Sequence, residues 1–255
     1  MPEPSWRQWD GATYDRVANP QTRWGAAVLE RLSLHGDETV LDCGCGSGRV
    51  TEQLLAQLPR GRVIALDASR SMLAEAHRRL AGAGDRVRFV EADLLQLSPA
   101  TLGDVAPVDA VFSSATFHWI TDHPQLFANI AAVMRDGARL SAQCGAEGNI
   151  SRLLAVAASV GLERASEWEY ASADITRERL EAAGFVDVRV WTHEEPTWFD
   201  DRTDLAEFLE TVCFGEAVRG MEIAQRGAMM RRVVDAMREP VIDYVRLNMV
   251  GVRRR

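Results

Sequence analysis

The stretch VLDCGCGSGRV, residues 40–50, sets an apolar pair and an aspartate directly ahead of glycines at 44, 46 and 48. Thr39, Val40 and Leu41 read as a short β-rich run ending at Asp42, while Val50, Leu54, Leu55 and Leu58 recur at helical spacing until Pro59. The segment therefore reads as strand, tight turn, helix. Glycines at the turn let the backbone take positive φ and leave no Cβ between the chain and a ligand lying against it.

Outward from this unit the alternation continues. Arg62–Asp67 is strand-like, and Ser69 or Ser71 can cap a helix carrying Met72, Leu73, Ala76 and Leu80. Val87–Val90 precedes Glu91-Ala92-Asp93, Asp109–Ser113 precedes a helical stretch through Leu126, Ile130 and Val133, and Arg139–Gln143 reads as a fifth strand. Strands alternating with helices predict an α/β fold: a parallel sheet with right-handed crossovers and helices on both faces. Farther on, helical segments at 152–160 and 176–183 lead to a strand at 186–191, the pattern from Asp204 to Glu239 is helical, and the last strand candidate is Ile242–Val252. We expect one domain over residues 1–255: a helical lid at 1–35, a ligand-binding core at 36–199, a helical cap insertion at 200–240 and the final strand at 241–255.

Of the 255 residues, 47% are apolar, enough to bury a large core. With 29 basic against 37 acidic residues the net charge is −8, which disfavours nucleic acid as a partner. The polar opening MPEPSWRQWD and the lack of a long apolar run predict a soluble, cytoplasmic chain with no membrane contact. Cys43, Cys45, Cys144 and Cys213 fit no disulfide framework and read as reduced thiols. His118 and His123 are five apart, a poor match to one helix face, and Cys43 with Cys45 lacks further ligands nearby, so no metal is expected.

Ligands of open parallel sheets bind beyond the carboxyl ends of the strands. Asp67 ends the second strand about 20 residues past the glycines, where an acidic side chain reaches a ribose diol. Asp93 follows the third strand, where a carboxylate can accept from an adenine amino group; the competing reading makes both residues helix caps. The dinucleotide pattern GxGxxG begun at Gly44 needs glycine at 49, where Arg49 stands, which weakens the alternative of a nicotinamide-dependent reductase. Asp42 beside the turn would repel a pyrophosphate and suits a ligand bearing an ammonium and a sulfonium.

At this point the chain resembles the class I S-adenosylmethionine-dependent methyltransferases, through VLDCGCGSG, VIALDASRSML, FVEADL and VDAVFSSATFHW. Within them it is most similar to the small-molecule methyltransferases of the trans-aconitate methyltransferase kind, through YDRVANPQTRWG, FHWITDH and DYVRLNMV. The resemblance implies a Rossmann-like sheet of seven strands, mostly parallel, whose last strand runs antiparallel, with S-adenosyl-L-methionine as cofactor. It implies Asp42 and the backbone of Cys43, Gly44, Cys45, Gly46 and Gly48 around the methionine portion, and Asp67 with Ala68 on the ribose. Ala92, Asp93 and Leu94 would meet the adenine, Met72 would pack near the adenosine, and Gln21, Trp24 and Ser113 would complete the site. The family's PGG ahead of strand five is here Asp136-Gly137-Ala138, and Ser114 stands where an asparagine is frequent.

The function implied is methyl transfer to a small molecule, at a carboxylate or hydroxyl oxygen, with positioning as the chief catalytic device. A carboxylate needs no base; a hydroxyl gains from one, for which His118 is the candidate. Tyr14, Trp119, Gln143, Glu147 and Asn149 are the candidates for acceptor recognition, and Trp6, Trp9, Tyr14, Gln21 and Trp24 are either a packed core or a lid. A protein that binds S-adenosylmethionine without turnover is the non-enzymatic alternative.

Overall fold

The computed structural model describes residues 19–163 and 168–254, with the side chains of residues 19–22 outside that description. The main elements are α1 (Asn19–Glu30), β1 (Thr39–Cys43), α2 (Arg49–Ala56), β2 (Arg62–Asp67), α3 (Arg70–Arg79), β3 (Val87–Glu91), β4 (Val108–Ser114), α4 (His123–Val133) and β5 (Met134–Gly145). There follow α5 (Ser151–Ser159), α6 (Ala173–Ala182), β6 (Phe185–Glu194), β7 (Thr197–Trp198), α7 (Arg202–Phe208), α8 (Ile223–Ala236), β8 (Val241–Ile242) and β9 (Val245–Arg253).

Seven strands form one sheet in the order β3-β2-β1-β4-β5-β9-β6. All neighbours from β3 to β5 pair in parallel, and β9 runs antiparallel to both β5 and β6. The two-residue pleat period sorts the strand side chains between two cores. Val40, Val63, Ala110 and Phe112 pack on one face with Val28, Leu29 and Leu54 of α1 and α2. Leu41, Ile64, Leu66 and Val111 pack on the other face with Phe127 and Ile130 of α4 and Leu180 of α6. Covered on both faces, these strands are apolar runs rather than alternating ones.

A third apolar cluster lies outside the sheet: Ile150, Leu153, Leu205, Phe208, Met230, Val233 and Tyr244 join Trp24 of α1. It is the core of a helical cap. The helical stretch expected from Asp204 to Glu239 is divided here into α7, a π-helical turn at Leu209–Cys213, a looping segment and α8. At Gly215 a Cβ would stand 2.9 Å from Glu210 O, so a residue with a side chain could not follow this path. The expected strand Ile242–Val252 is also split. Val241 and Ile242 pair with Trp198 and Thr197 in a separate ribbon, and the chain joins the large sheet only at Val245. Among the described residues no helix is long and apolar enough to cross a membrane.

Candidate functional site

The glycine turn between β1 and α2 is stitched to the end of β2. Gly44, Gly46 and Gly48 all have positive φ, at 79°, 54° and 81°. The N–H groups of Gly44 and Cys45 donate to Leu66 O at 2.8 and 3.0 Å, and that of Gly46 donates to Asp67 Oδ2 at 2.9 Å. The other carboxylate oxygen of Asp67 accepts from Ser69 N–H at 2.8 Å. A Cβ on Gly44 would overlap Thr116, whose hydroxyl donates to Gly44 O at 3.3 Å. A Cβ on Gly46 would meet nothing within 4 Å. Gly48 is needed for another reason, because a Cβ there would stand 3.2 Å from Ala76 of α3.

Beyond the carboxyl ends of β1, β2 and β4 lies a cavity of about 360 Å³. On the β2–β3 side its wall is Gly44, Gly46, Asp67, Ala68, Met72, Ala92, Asp93 and Leu94. On the β4–β9 side it is His118, Trp119, Asn149, Trp168, Tyr170, Tyr244 and Arg246, with Ile150, Val212 and Cys213 of the cap and Trp24 of α1. Aromatic rings line that second side: Trp119 and Trp168 meet edge to face at 5.4 Å, His118 and Tyr170 stack at 5.8 Å, and Trp24 meets Tyr244 at 4.9 Å. Two wall residues without glycine's freedom nevertheless have positive φ, Ala115 at 58° and Ile150 at 51°. For a β-branched residue this is an unusual backbone state. Asp243 holds it: its backbone O accepts from Ile150 N–H at 3.0 Å, and its carboxylate accepts from Arg152 and Leu153 N–H, capping α5 from outside the helix.

Several side chains expected at the ligand stand elsewhere. Asp42 is 1% exposed beneath the turn, where Thr51 Oγ1 donates to it at 2.7 Å. Burial raises its pKa to about 7, against the hydrogen bond from Thr51. The resemblance implies only the backbone of Cys43, Cys45 and Gly48 at the ligand; the Cys43 side chain is buried in the sheet core, that of Cys45 packs with Ala65 and Leu73, and Gly48 lies against α3. Ser113 is buried and donates to Cys43 O at 2.7 Å, so it ties β4 to β1 rather than facing the cavity. Gln143 is buried behind Arg246, and Glu147 is exposed to solvent. Tyr14 and the side chain of Gln21 lie outside the described residues, as do Trp6 and Trp9. Asp93 lines the cavity and also caps the short helical turn at Leu94–Gln96, its Oδ1 accepting from Leu95 N–H at 2.9 Å.

His118 Nδ1 accepts a hydrogen bond from Gly145 N–H at 3.4 Å, which places the proton of the neutral ring on Nε2. Burial, reinforced by the positive charge of Arg246, drives the His118 pKa well below the usual imidazole value. In this arrangement the ring is a neutral donor toward the cavity; to act as the candidate base for a hydroxyl acceptor it would need the other tautomer. Arg246, Tyr170 and Tyr244 were missed at the sequence level. Arg246 sits at the start of β9, and the antiparallel course of that strand brings it opposite Gly145, at the carboxyl edge of β5.

The methyltransferase domain family matches residues 40–137. An uncharacterised methyltransferase of Schizosaccharomyces pombe is 31% identical over 224 residues, covering 83% of this chain and 81% of that protein. The chain belongs to the class I S-adenosylmethionine-dependent methyltransferases. Within this family it is related to the trans-aconitate methyltransferase group: the trans-aconitate 2-methyltransferase of Methylobacterium nodulans is 38% identical over 135 residues. That match covers 53% of this methyltransferase and 49% of the relative, so the chain spans about half the length of the trans-aconitate enzymes it matches. The fold is that of Haemonchus contortus phosphoethanolamine N-methyltransferase 2, with a TM-score of 0.63 at 17% identity, covering 96% of this chain and 57% of that one. S-adenosylmethionine is the cofactor of the family.

Proposed function

We propose that this methyltransferase moves the methyl group of S-adenosylmethionine to a carboxylate oxygen of a small molecule. The observation that carries the choice of acceptor is the hydrogen bond from Gly145 N–H to His118 Nδ1. With Nδ1 committed to Gly145 N–H, the ring offers Nε2–H to the cavity and cannot take a proton from a hydroxyl or ammonium acceptor. A carboxylate is ionised at neutral pH and brings its own lone pair.

The residues present fit the cofactor. The open space above Gly46 leaves room for a ligand against the backbone, and Asp67 faces the cavity with both oxygens already oriented by turn N–H groups. Asp67 would accept from the ribose hydroxyls, and Ala92, Asp93 and Leu94 would border the adenine. When bound, S-adenosylmethionine supplies a methyl carbon on a sulfonium, activated because the C–S bonding pair departs on sulfur. The chain's own part is alignment and exclusion of water. Trp119, Trp168 and Tyr170 close the acceptor side with apolar surface. There an anionic nucleophile and a cationic donor neutralise each other in a medium that does not oppose the loss of charge. Positioning of this kind supplies roughly 7–11 kcal/mol of barrier reduction.

Incubation with methyl-labelled S-adenosylmethionine and a panel of acids (trans-aconitate, itaconate, phenylacetate and octanoate) tests the reading. Label in an extractable product supports it. Label that stays with the protein, with no product from any acid, points to the binding protein instead.

A further inference from the structure

We propose that Arg246 is the anion anchor of the acceptor and that Gln143 aims it. This rests on the proposed transfer to a carboxylate and goes beyond it by assigning the group that selects the substrate.

The placement comes first. In the strand order, β9 lies four steps from β2, so Arg246 and Asp67 stand on opposite sides of the β1–β4 switch point. At about 4.8 Å per step the separation is roughly 19 Å across the sheet, enough for a nucleoside and its amino-acid chain with an acceptor beyond. Arg246 is only 2% exposed and still lines the cavity.

Its orientation is set on two sides. The Trp24 ring lies against one face of the guanidinium, with Cζ 4.2 Å from the ring centroid. Nε donates to Gln143 Oε1 at 3.2 Å, and Gln143 Nε2 donates in turn to Asn248 Oδ1 at 2.9 Å. Arg31, in the turn just after α1, donates to the same Asn248 oxygen at 2.7 Å, so Gln143 is held as firmly as it holds. A planar guanidinium held this way presents a fork that matches a carboxylate and not an amine.

Charge points the same way. A fixed cation near a cationic donor ligand repels an ammonium acceptor and attracts a carboxylate. His118 Nε2–H adds a neutral donor on the same side of the cavity.

The test uses the full chain loaded with S-adenosylhomocysteine and follows binding of itaconate, phenylacetate and their methyl esters by calorimetry. The proposal expects at least one acid to bind more tightly than its ester. Arg246→Gln should weaken that acid by about tenfold or more, leave the ester unchanged, and leave S-adenosylhomocysteine within about twofold, with Arg246→Lys recovering part of the loss. Gln143→Glu is the variant that keeps the arginine. It sets a carboxylate against Nε, neutralises the guanidinium in place, and should abolish the preference for acid over ester even where Arg246→Gln is too unstable to measure. In turnover, Gln143→Leu should raise KM for the acid with kcat nearly constant. Acid binding unchanged in Gln143→Glu and Arg246→Gln, or no preference for acid over ester in the unmodified chain, would overturn the anchor. Failure to bind S-adenosylhomocysteine at all would overturn the proposed function instead.

Discussion

Replacing Asp67 by alanine removes a carboxylate that both closes the glycine turn and faces the cavity. Its oxygens accept from Gly46 and Ser69 N–H at 2.9 and 2.8 Å, which leaves lone pairs on each for a ligand hydroxyl. Hydrogen bonds to a charged acceptor are worth about 1.5–3 kcal/mol each, so losing two at the lower figure costs about 3 kcal/mol, or roughly a hundredfold in affinity. The substitution also loosens the turn, and a raw affinity loss would not separate the two effects. A double-mutant cycle does. S-adenosylhomocysteine and its 2′,3′-dideoxy analogue are titrated into both proteins by calorimetry. If the carboxylate holds the diol, Asp67→Ala weakens the parent ligand by about a hundredfold and the analogue by far less. Equal losses for the two ligands would refute the ribose assignment and reduce Asp67 to a brace of the turn.

Three further outcomes follow from the same geometry. Gly46→Ala and Gly48→Ala both force a side chain into the left-handed region at about 1–2 kcal/mol, but only at Gly48 does the methyl also press on Ala76, at 3.2 Å; thermal melts should show the larger loss of stability at Gly48, and ligand titration the larger loss of affinity at Gly46. Burial raises the Asp42 pKa from the ordinary carboxylate value of 3.8 to about 7 in the folded chain, so between these values the folded state holds the extra proton. Its contribution to the stability of the ligand-free protein is full below the lower value and is lost as pH rises through about 7, by at most about 4 kcal/mol; Asp42→Asn should flatten the fall in melting temperature between about pH 4 and about pH 7. Because His118 is held as a neutral donor, His118→Ala should leave the shape of the pH–rate profile below about pH 7 unchanged, whereas loss of an acidic limb, a rate that climbs with pH as the imidazole deprotonates, would restore it as the base.

The part of the molecule that reads directly from sequence is the part governed by short-range rules. Thr39 to Leu58 declares strand, turn and helix because each apolar residue sits at the period of its element, and Asp67 and Asp93 stand out because carboxylates end otherwise apolar strands. Arg246 gives no such signal. It lies in a central strand where residues 246–249 are buried on both faces, so no alternation marks it, and its place at the carboxyl edge follows only from the antiparallel pairing with Gly145. Gln143 drew notice as a polar residue after strand five, yet its function depends on a partner more than 100 residues away. The cap misled in the opposite sense. Leu205, Leu209 and Cys213 keep a helical repeat into a π-helical turn, and the periodicity of buried residues does not register where the helix stops. The two-residue ribbon of β7 and β8 is too short to have any period.

The central claim is that a glycine cradle presents an activated methyl group to a carboxylate held without a base. Mass spectrometry of the product formed from deuteriomethyl S-adenosylmethionine, before and after mild alkali, tests it most directly. The account predicts a labelled methyl ester that alkali cleaves back to the parent acid. A labelled product that survives alkali, as an ether or a methylated amine would, contradicts it.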